Sequence, residues 1–217
     1  MYTYDMTRDE LLEATDEQII DWMKEVGYLY GLHKVIRYDQ TRPIGTGGES
    51  VSEHITALMI LCEYFLELDD PQHTLERERI RNLILWHDIV EIETGDVPTC
   101  RKTKDHADDE TQVIDQVLAH FPDHMKEIIK TTLVDYQNLT SPEARFVKAL
   151  DKIECWFSIL MIDGKEKIVD GAQTTHEQAL AVIEKYDHFS RDYSCMNKVS
   201  RVFSTHLLET NWYRDKD

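Results

Sequence analysis

His54, the adjacent pair His87-Asp88, and Asp151 are the residues of this chain best suited to bind a metal. Imidazole and carboxylate groups brought together from different elements are what a borderline divalent ion takes as ligands. Each of the four sits beside apolar positions at helical spacing. His54 has Leu58 at i+4 and Leu61 at i+7, His87-Asp88 follows "LILW", and Asp151 follows Leu150 with Val147 at i−4. A lone imidazole or carboxylate beside a core is costly without a partner. One shared cation would remove that cost for all four. Taken singly, each has an ordinary reading: His54 as a satisfied core histidine, Asp151 as a cap or as the partner of Lys148 or Lys152, and His87-Asp88 as a polar helix end.

The elements that must position these residues read as helices. Thr15 with Gln18 forms a capping box that opens a helix through about Leu32. Ser50 with Glu53 opens a second, whose apolar face runs through Val51, Ile55, Leu58, Met59, Cys62, Phe65 and Leu66. Thr74 is expected to cap a third, continuous through Ile92 and stopped near Gly95 with Pro98 beyond. In such a helix His87 and Asp88 stand roughly 100° apart, so a shared ion would lie near its edge. Further helices are expected over about 105–119 and 122–137. Ser141-Pro142-Glu143 marks the start of a long one reaching Ile162 and ending at Gly164. Two more fall at about 175–189 and 196–209. The segment 38–50, "YDQTRPIGTGGES", holds three of the eight glycines and reads as a loop.

Composition narrows the function classes. The chain has 217 residues, 41% of them hydrophobic, enough for a real core. Its formal net charge of −18, with only Arg101-Lys102-Thr103-Lys104 as a basic run, disfavours a nucleic-acid partner. A small anionic substrate remains compatible, since a bound metal and one or two cations make a local positive site. Four dispersed cysteines (Cys62, Cys100, Cys155, Cys195) suggest free thiols in a reducing compartment. No stretch has the length of a membrane span or the pattern of a secretory leader. The expectation is a cytoplasmic protein with no membrane partner.

The order H…HD…D on successive helices resembles the HD-domain phosphohydrolase superfamily. The longer run "WHDIVEIETGDVPT", with "ESVSEH" upstream, is similar to one branch of it, the 5′-deoxynucleotidases (nucleoside 5′-monophosphatases). Their HDxxE…GD pattern is filled here by His87, Asp88, Glu91, Gly95 and Asp96. The resemblance covers about residues 28 to 162. It implies an all-α HD-domain bundle with a metal site at its centre. On that reading the chain is a single domain over 1–217, with an N-terminal helix and a C-terminal helical extension that carries no motif.

The resemblance further implies one divalent transition metal (Mn, Co, Fe or Zn) held by His54, His87, Asp88 and Asp151. Glu91, at i+4 from His87, would handle the attacking water without ligating the ion. Asp96 would accept from the sugar 3′-hydroxyl. Arg37 would hold the phosphate, with Arg42 as its rival and Lys102 as a second contact. Tyr38 stands where the family often has tryptophan. Glu93 has no counterpart in the pattern and should be ordinary. A homodimer is expected by the same resemblance. Two rival readings stand beside this one: an HD phosphohydrolase acting on nucleoside triphosphates, cyclic nucleotides or alarmones, and a catalytically inert module that senses a nucleotide.

Overall fold

The structure, a computed structural model, describes residues 7–37, 49–99, 102–103, 112–163 and 173–213. Tyr38, Arg42, Cys100, Arg101, Lys104, His106, Gly164 and the start of the expected fourth helix lie outside the described residues. The elements run α1 (Arg8–Glu13), α2 (Asp16–Val26), a 3₁₀ segment (Gly27–His33), α3 (Val51–Asp69), α4 (Arg77–Trp86) and α5 (Glu91–Thr94). They continue with α6 (Ile114–Leu118), α7 (Asp123–Asn138), α8 (Pro142–Ser158), a π turn (Ile159–Asp163), α9 (His176–Ser190) and α10 (Ser194–Glu209). The all-α expectation holds: the pairing nearest to a sheet among the described residues is an isolated bridge between Ile36 and Ser50. No helix of these residues is long and apolar enough to cross a membrane. Cys62, Cys155 and Cys195 are free thiols.

Helix α8 is the hub. It packs against α3, α4, α7, α9 and α10. A helix touched on every side must be apolar nearly all round. Phe146, Val147, Ala149, Leu150 and Ile153 of α8 have no exposed surface. Full burial of each large side chain contributes about 1.5–3 kcal/mol. The same helix buries Glu143, Asp151 and Glu154, so charge has been carried into the core deliberately placed against partners. Ser141 caps it, accepting from Ala144 N at 3.0 Å, with Pro142 at the first helical position. Capping boxes at Thr15–Gln18 and Ser50–Glu53 open α2 and α3 as the sequence indicates. Another, Thr7–Glu10, opens the unanticipated α1.

The structure corrects two helix expectations. The first helix does not run unbroken to Leu32 but tightens at Gly27 into a 3₁₀ segment. Gly31 lets that segment lie on α5, since a Cβ there would meet Ile92 Cγ2 at 2.9 Å. The third helix neither starts at Thr74 nor reaches Ile92. Thr74 donates to Asp70 Oδ1 through both its amide and its hydroxyl, in a turn before α4. At the other end, the His87 ring Nδ1 lies 2.9 Å from Ile84 O, the carbonyl that a continued helix would offer to the Asp88 amide. The chain then turns through i→i+3 bonds, Ile89 N to Trp86 O and Glu91 N to Asp88 O, before α5 begins. His87 and Asp88 are therefore turn residues between two helices, not neighbours on one.

The α7–α8 corner is tied by Asp135, which accepts from Ser141 N at 2.9 Å, Ser141 Oγ at 2.6 Å and Arg79 Nη2 at 2.7 Å. Burial alone would raise its pKa, but the bonds from Ser141, Thr140 and Arg79 hold the carboxyl down at about 2. A carboxyl depressed on folding stabilises above its unfolded pKa, and that stabilisation is lost as pH falls through the folded value. Asp135→Asn should therefore cost about 2 kcal/mol at pH 7. In denaturant unfolding the gap between wild type and variant should shrink between about pH 4 and pH 2. A gap that stays constant over that range would show that the charge of Asp135 is not what holds the corner.

Candidate metal centre

The polar residues of α3, the α4–α5 turn and α8 meet at the centre of the bundle. The His54 ring on α3 is completely buried. Its Nδ1 lies 2.8 Å from Glu154 Oε2. Arg37 Nη1 donates to the same oxygen at 3.0 Å and to Glu49 Oε2 at 3.4 Å, and it stands 2.6 Å from the ring nitrogen itself. An ionised carboxylate can only accept, so the contact with Glu154 requires Nδ1–H, and Nη1–H of Arg37 converges on the same carboxylate. That leaves Nε2 as the ring nitrogen that faces the centre, where a cation would take the place of its proton. On His87, the bond from Nδ1 to Ile84 O has the same effect.

Around the two free nitrogens stand two carboxylates. Asp88 Oδ2 is 3.1 Å from His87 Nε2 and 3.8 Å from His54 Nε2. Asp151 Oδ1 is 3.4 Å from His54 Nε2. None of these approaches is aligned as a hydrogen bond. His54 Nε2 and His87 Nε2 are buried and without a hydrogen-bond partner. Two ligands at right angles on a first-row divalent ion lie about 3 Å apart, given metal–ligand distances near 2.1 Å. The spacings here suit that. His54, His87 and Asp88 each offer a ligand atom, all within 4.8 Å of one another. Asp151 joins them through His54, while its Oδ2 accepts from Tyr136 Oη at 2.8 Å and pairs with Lys152 Nζ at 2.7 Å.

The electrostatics favour positive charge at this point. Burial and Arg37 push the His54 pKa down, yet Glu154 and Asp151 outweigh them and lift it to about 9. Burial opposes ionisation of Glu154, but His54 and Arg37 bring it down to about 2. Asp88 and Asp151 are also held below the usual carboxylate range against their burial, by His87 and by Lys152 respectively. A cluster that would protonate a deeply buried imidazole is equally suited to a divalent cation.

Glu91 opens α5 and is buried, with Oε2 lacking a partner. Burial and the neighbouring Asp88 and Asp96 carboxylates raise its pKa well above the ordinary value. It lines a cavity of about 490 Å³ together with His87, Asp88, Asp96 and Asp151. That volume lies within the usual range of roughly 300–1,000 Å³ for a small-molecule pocket. Gly95, at φ +74°, adopts a backbone conformation that disfavours side chains and swings Asp96 out after α5. Glu91 and Asp96 also border a second cavity of about 630 Å³, on the side of Tyr28 and Gly31.

Of the cations expected at the phosphate, Arg37 and Lys102 are among the described residues and Arg42 is not. Arg37 and Lys102 line the smaller cavity, although the Nη1 of Arg37 is engaged by Glu154 and Glu49. Glu93, expected to be ordinary, accepts from Tyr28 Oη and Gln116 Nε2, both at 2.8 Å, and ties the 3₁₀ segment to α6. His33 is exposed and lies against Tyr30.

Several residues escaped the sequence reading. Glu154 had a readable signal, a carboxylate at i+3 from Asp151 on the same core-facing stripe. Tyr136 and Lys185 had none, because they enter from other helices, while Lys148, at i−3 from Asp151 on α8, was readable only as an ion-pair partner of that carboxylate. Lys148 Nζ sits 4.2 Å over the Tyr136 ring and 4.0 Å from Asp151 Oδ2, and burial with Lys152 nearby pushes its ammonium down to about 7.

The family model described as HD domain matches residues 31–188. The mouse (Mus musculus) protein 5′-deoxynucleotidase HDDC2 is 28% identical over 109 residues, 49% of this chain and 52% of that protein. The Schizosaccharomyces pombe protein 5′-deoxynucleotidase hdd1 is 28% identical over 112 residues, 49% of this chain and 54% of that one. The chain thus spans about half the length of the curated relatives it matches. Among solved structures, one titled a predicted metal-dependent phosphohydrolase, from Magnetospirillum magnetotacticum MS-1, superposes with a TM-score of 0.70 at 18% identity. It covers 88% of this chain and 93% of its own. A conserved hypothetical protein from Pyrococcus furiosus gives a TM-score of 0.55 at 17% identity, over 82% of this chain and 99% of its own.

Glu154 orients His54 by accepting its proton, so Glu154→Gln should weaken divalent-metal binding 10–100-fold while helix content is retained. Competition against a chromophoric chelator, with circular dichroism as the folding control, measures this. Unchanged affinity would mean that the tautomer of His54 is set by something other than Glu154.

Proposed function

This chain belongs to the HD-domain family, and from that premise we propose that it removes the 5′-phosphate from nucleoside monophosphates, deoxynucleotides foremost. The observation that carries the proposal is a set of three buried, unpartnered atoms: His54 Nε2 and His87 Nε2, which both face Asp88, and Glu91 Oε2, whose residue lines the same cation-bearing cavity as His87 and Asp88. His54, His87, Asp88 and Asp151 would hold the metal. When bound, the ion supplies Lewis acidity toward a phosphoryl oxygen and lowers the pKa of a water.

The chain's own groups do the rest. Glu91 keeps an oxygen free of other partners beside Asp88, and a carboxylate of raised pKa is the stronger base, so in its ionised form it can take the proton of the attacking water and return it to the leaving alkoxide. Asp96, swung out by Gly95, accepts from a sugar hydroxyl, which selects against substrates in which that hydroxyl is blocked. Lys102 and Lys148 bring positive charge to the cavity that receives the phosphate, and Lys148 is held in place over the Tyr136 ring. Arg37 borders the same cavity and keeps His54 oriented through Glu154. The names of the two curated relatives support the choice of a 5′-monophosphate over a triphosphate.

Phosphate release should be measured from a panel of ribo- and deoxynucleoside mono- and triphosphates with Mn²⁺, Co²⁺ and Mg²⁺. Deoxynucleoside monophosphates should be turned over fastest, and silence toward every monophosphate would sink the proposal. Glu91→Gln should retain the metal and lose about 10²–10⁴-fold in kcat. Near-normal turnover by that variant would remove Glu91 from the chemistry.

A further inference from the structure

The cavity proposed to receive the phosphate has a wall that comes from outside the candidate ligand helices. Lys185 and Phe189, one turn apart on α9, line it together with Lys102, Lys148 and Lys152. Ammonium groups crowded around one cavity repel one another and need anionic partners, which Asp88, Glu91, Asp96 and Asp151 in the same lining supply in part. The groups differ in how far that has been done. Lys152 is paired with Asp151 at 2.7 Å, and Lys148 is held between Asp151 and the Tyr136 ring. Arg37 is engaged by Glu154 and Glu49. Lys185, at the rim, makes no hydrogen bond or ion pair among the described residues. The charges it feels are chiefly the like charges of Lys152 and Lys102.

Its position is not left to a loose surface helix. The next residue, Tyr186, is buried against α8. Its ring centroid lies 4.9 Å from that of Trp156, and its hydroxyl oxygen is 3.4 Å from Cys155 Sγ. Cys155 and Trp156 follow Asp151 by little more than one turn of the same helix. The backbone that carries Lys185 is thus referenced directly to a candidate metal ligand.

We propose that Lys185 is a phosphate-binding residue of this cavity, the α9 group that meets the dianionic end of a phosphomonoester or of free inorganic phosphate, with Phe189 giving the adjoining apolar surface. This rests on the phosphomonoesterase reading above. It also assigns α9, the first of the two C-terminal helices, a part in the site rather than the role of an appendage.

The test uses the full chain loaded with one equivalent of Zn²⁺ and three variants: Lys185→Met, Lys185→Arg and, as a control for net charge, Lys198→Met on α10. Calorimetric titration with inorganic phosphate reads the subsite without turnover, and steady-state kinetics on a deoxynucleoside monophosphate reads the substrate. Lys185→Met should weaken phosphate binding about tenfold, with a similar rise in KM and kcat within about threefold. Lys185→Arg should recover most of the loss, and Lys198→Met should match wild type in both assays. Wild-type phosphate affinity in Lys185→Met, an equal loss in Lys198→Met, or no phosphate binding by the wild type would each overturn the proposal. If the phosphate-binding differences appear as expected but no monophosphate is hydrolysed, the subsite stands and the proposed activity falls.

Discussion

Full burial of the His54 imidazole against Glu154 is the constraint on which the rest of the bundle depends. An imidazole with no exposed surface and a carboxylate at 2.8 Å can coexist only if every other lone pair and proton nearby is answered. Arg37 answers Glu154 from one side, and Glu49 with Ser158 braces Arg37 from behind. On the other side, Nε2 of His54 faces His87, Asp88 and Asp151. The packing of α3, α4 and α8 around this point follows from the same requirement, because each helix brings part of the answer. Well-packed apolar side chains in place of such a cluster are often neutral or stabilising, but here they would remove the concentration of carboxylates that makes the centre attractive to a cation.

The sequence carried the type of fold and the principal residues of the centre because both are local signals. Ser50–Glu53 and Ser141-Pro142 are readable caps, and the periodic apolar faces of α3 and α8 put His54 and Asp151 beside the core. The break at His87 was not readable. Helical periodicity continues through "LILWHDIVEI", and the interruption depends on a ring nitrogen reaching a backbone carbonyl one turn back. That break changes the geometry: the His87-Asp88 pair sits on a corner, from which both side chains can reach the same point. A straight helix would have sent them in divergent directions.

What remained illegible came from residues brought in by tertiary packing. Tyr136 reaches Asp151 from α7, and Lys185 reaches the cavity rim from α9. No spacing within one helix encodes either. The electrostatic character was partly visible in advance as acidity, but the relevant property is the reverse of the average. A chain with 42 acidic and 24 basic side chains collects several of the latter around one cavity. Net charge therefore describes how the surface meets other macromolecules and says little about a pocket a few ångströms wide.

The bridge between Ile36 and Ser50 has a consequence for variation of the sequence. Arg37 N donates to Glu49 O at 2.8 Å and Val51 N to Val35 O at 3.1 Å, so the two ends of the intervening segment are fastened to each other at the entrance of α3. Arg37, Glu49 and His54 take their positions from that clasp. With the ends fixed, doubling the number of residues between them costs only about 0.6 kcal/mol of closure entropy. Changes of length and composition there are thus insulated from the buried cluster a few residues away.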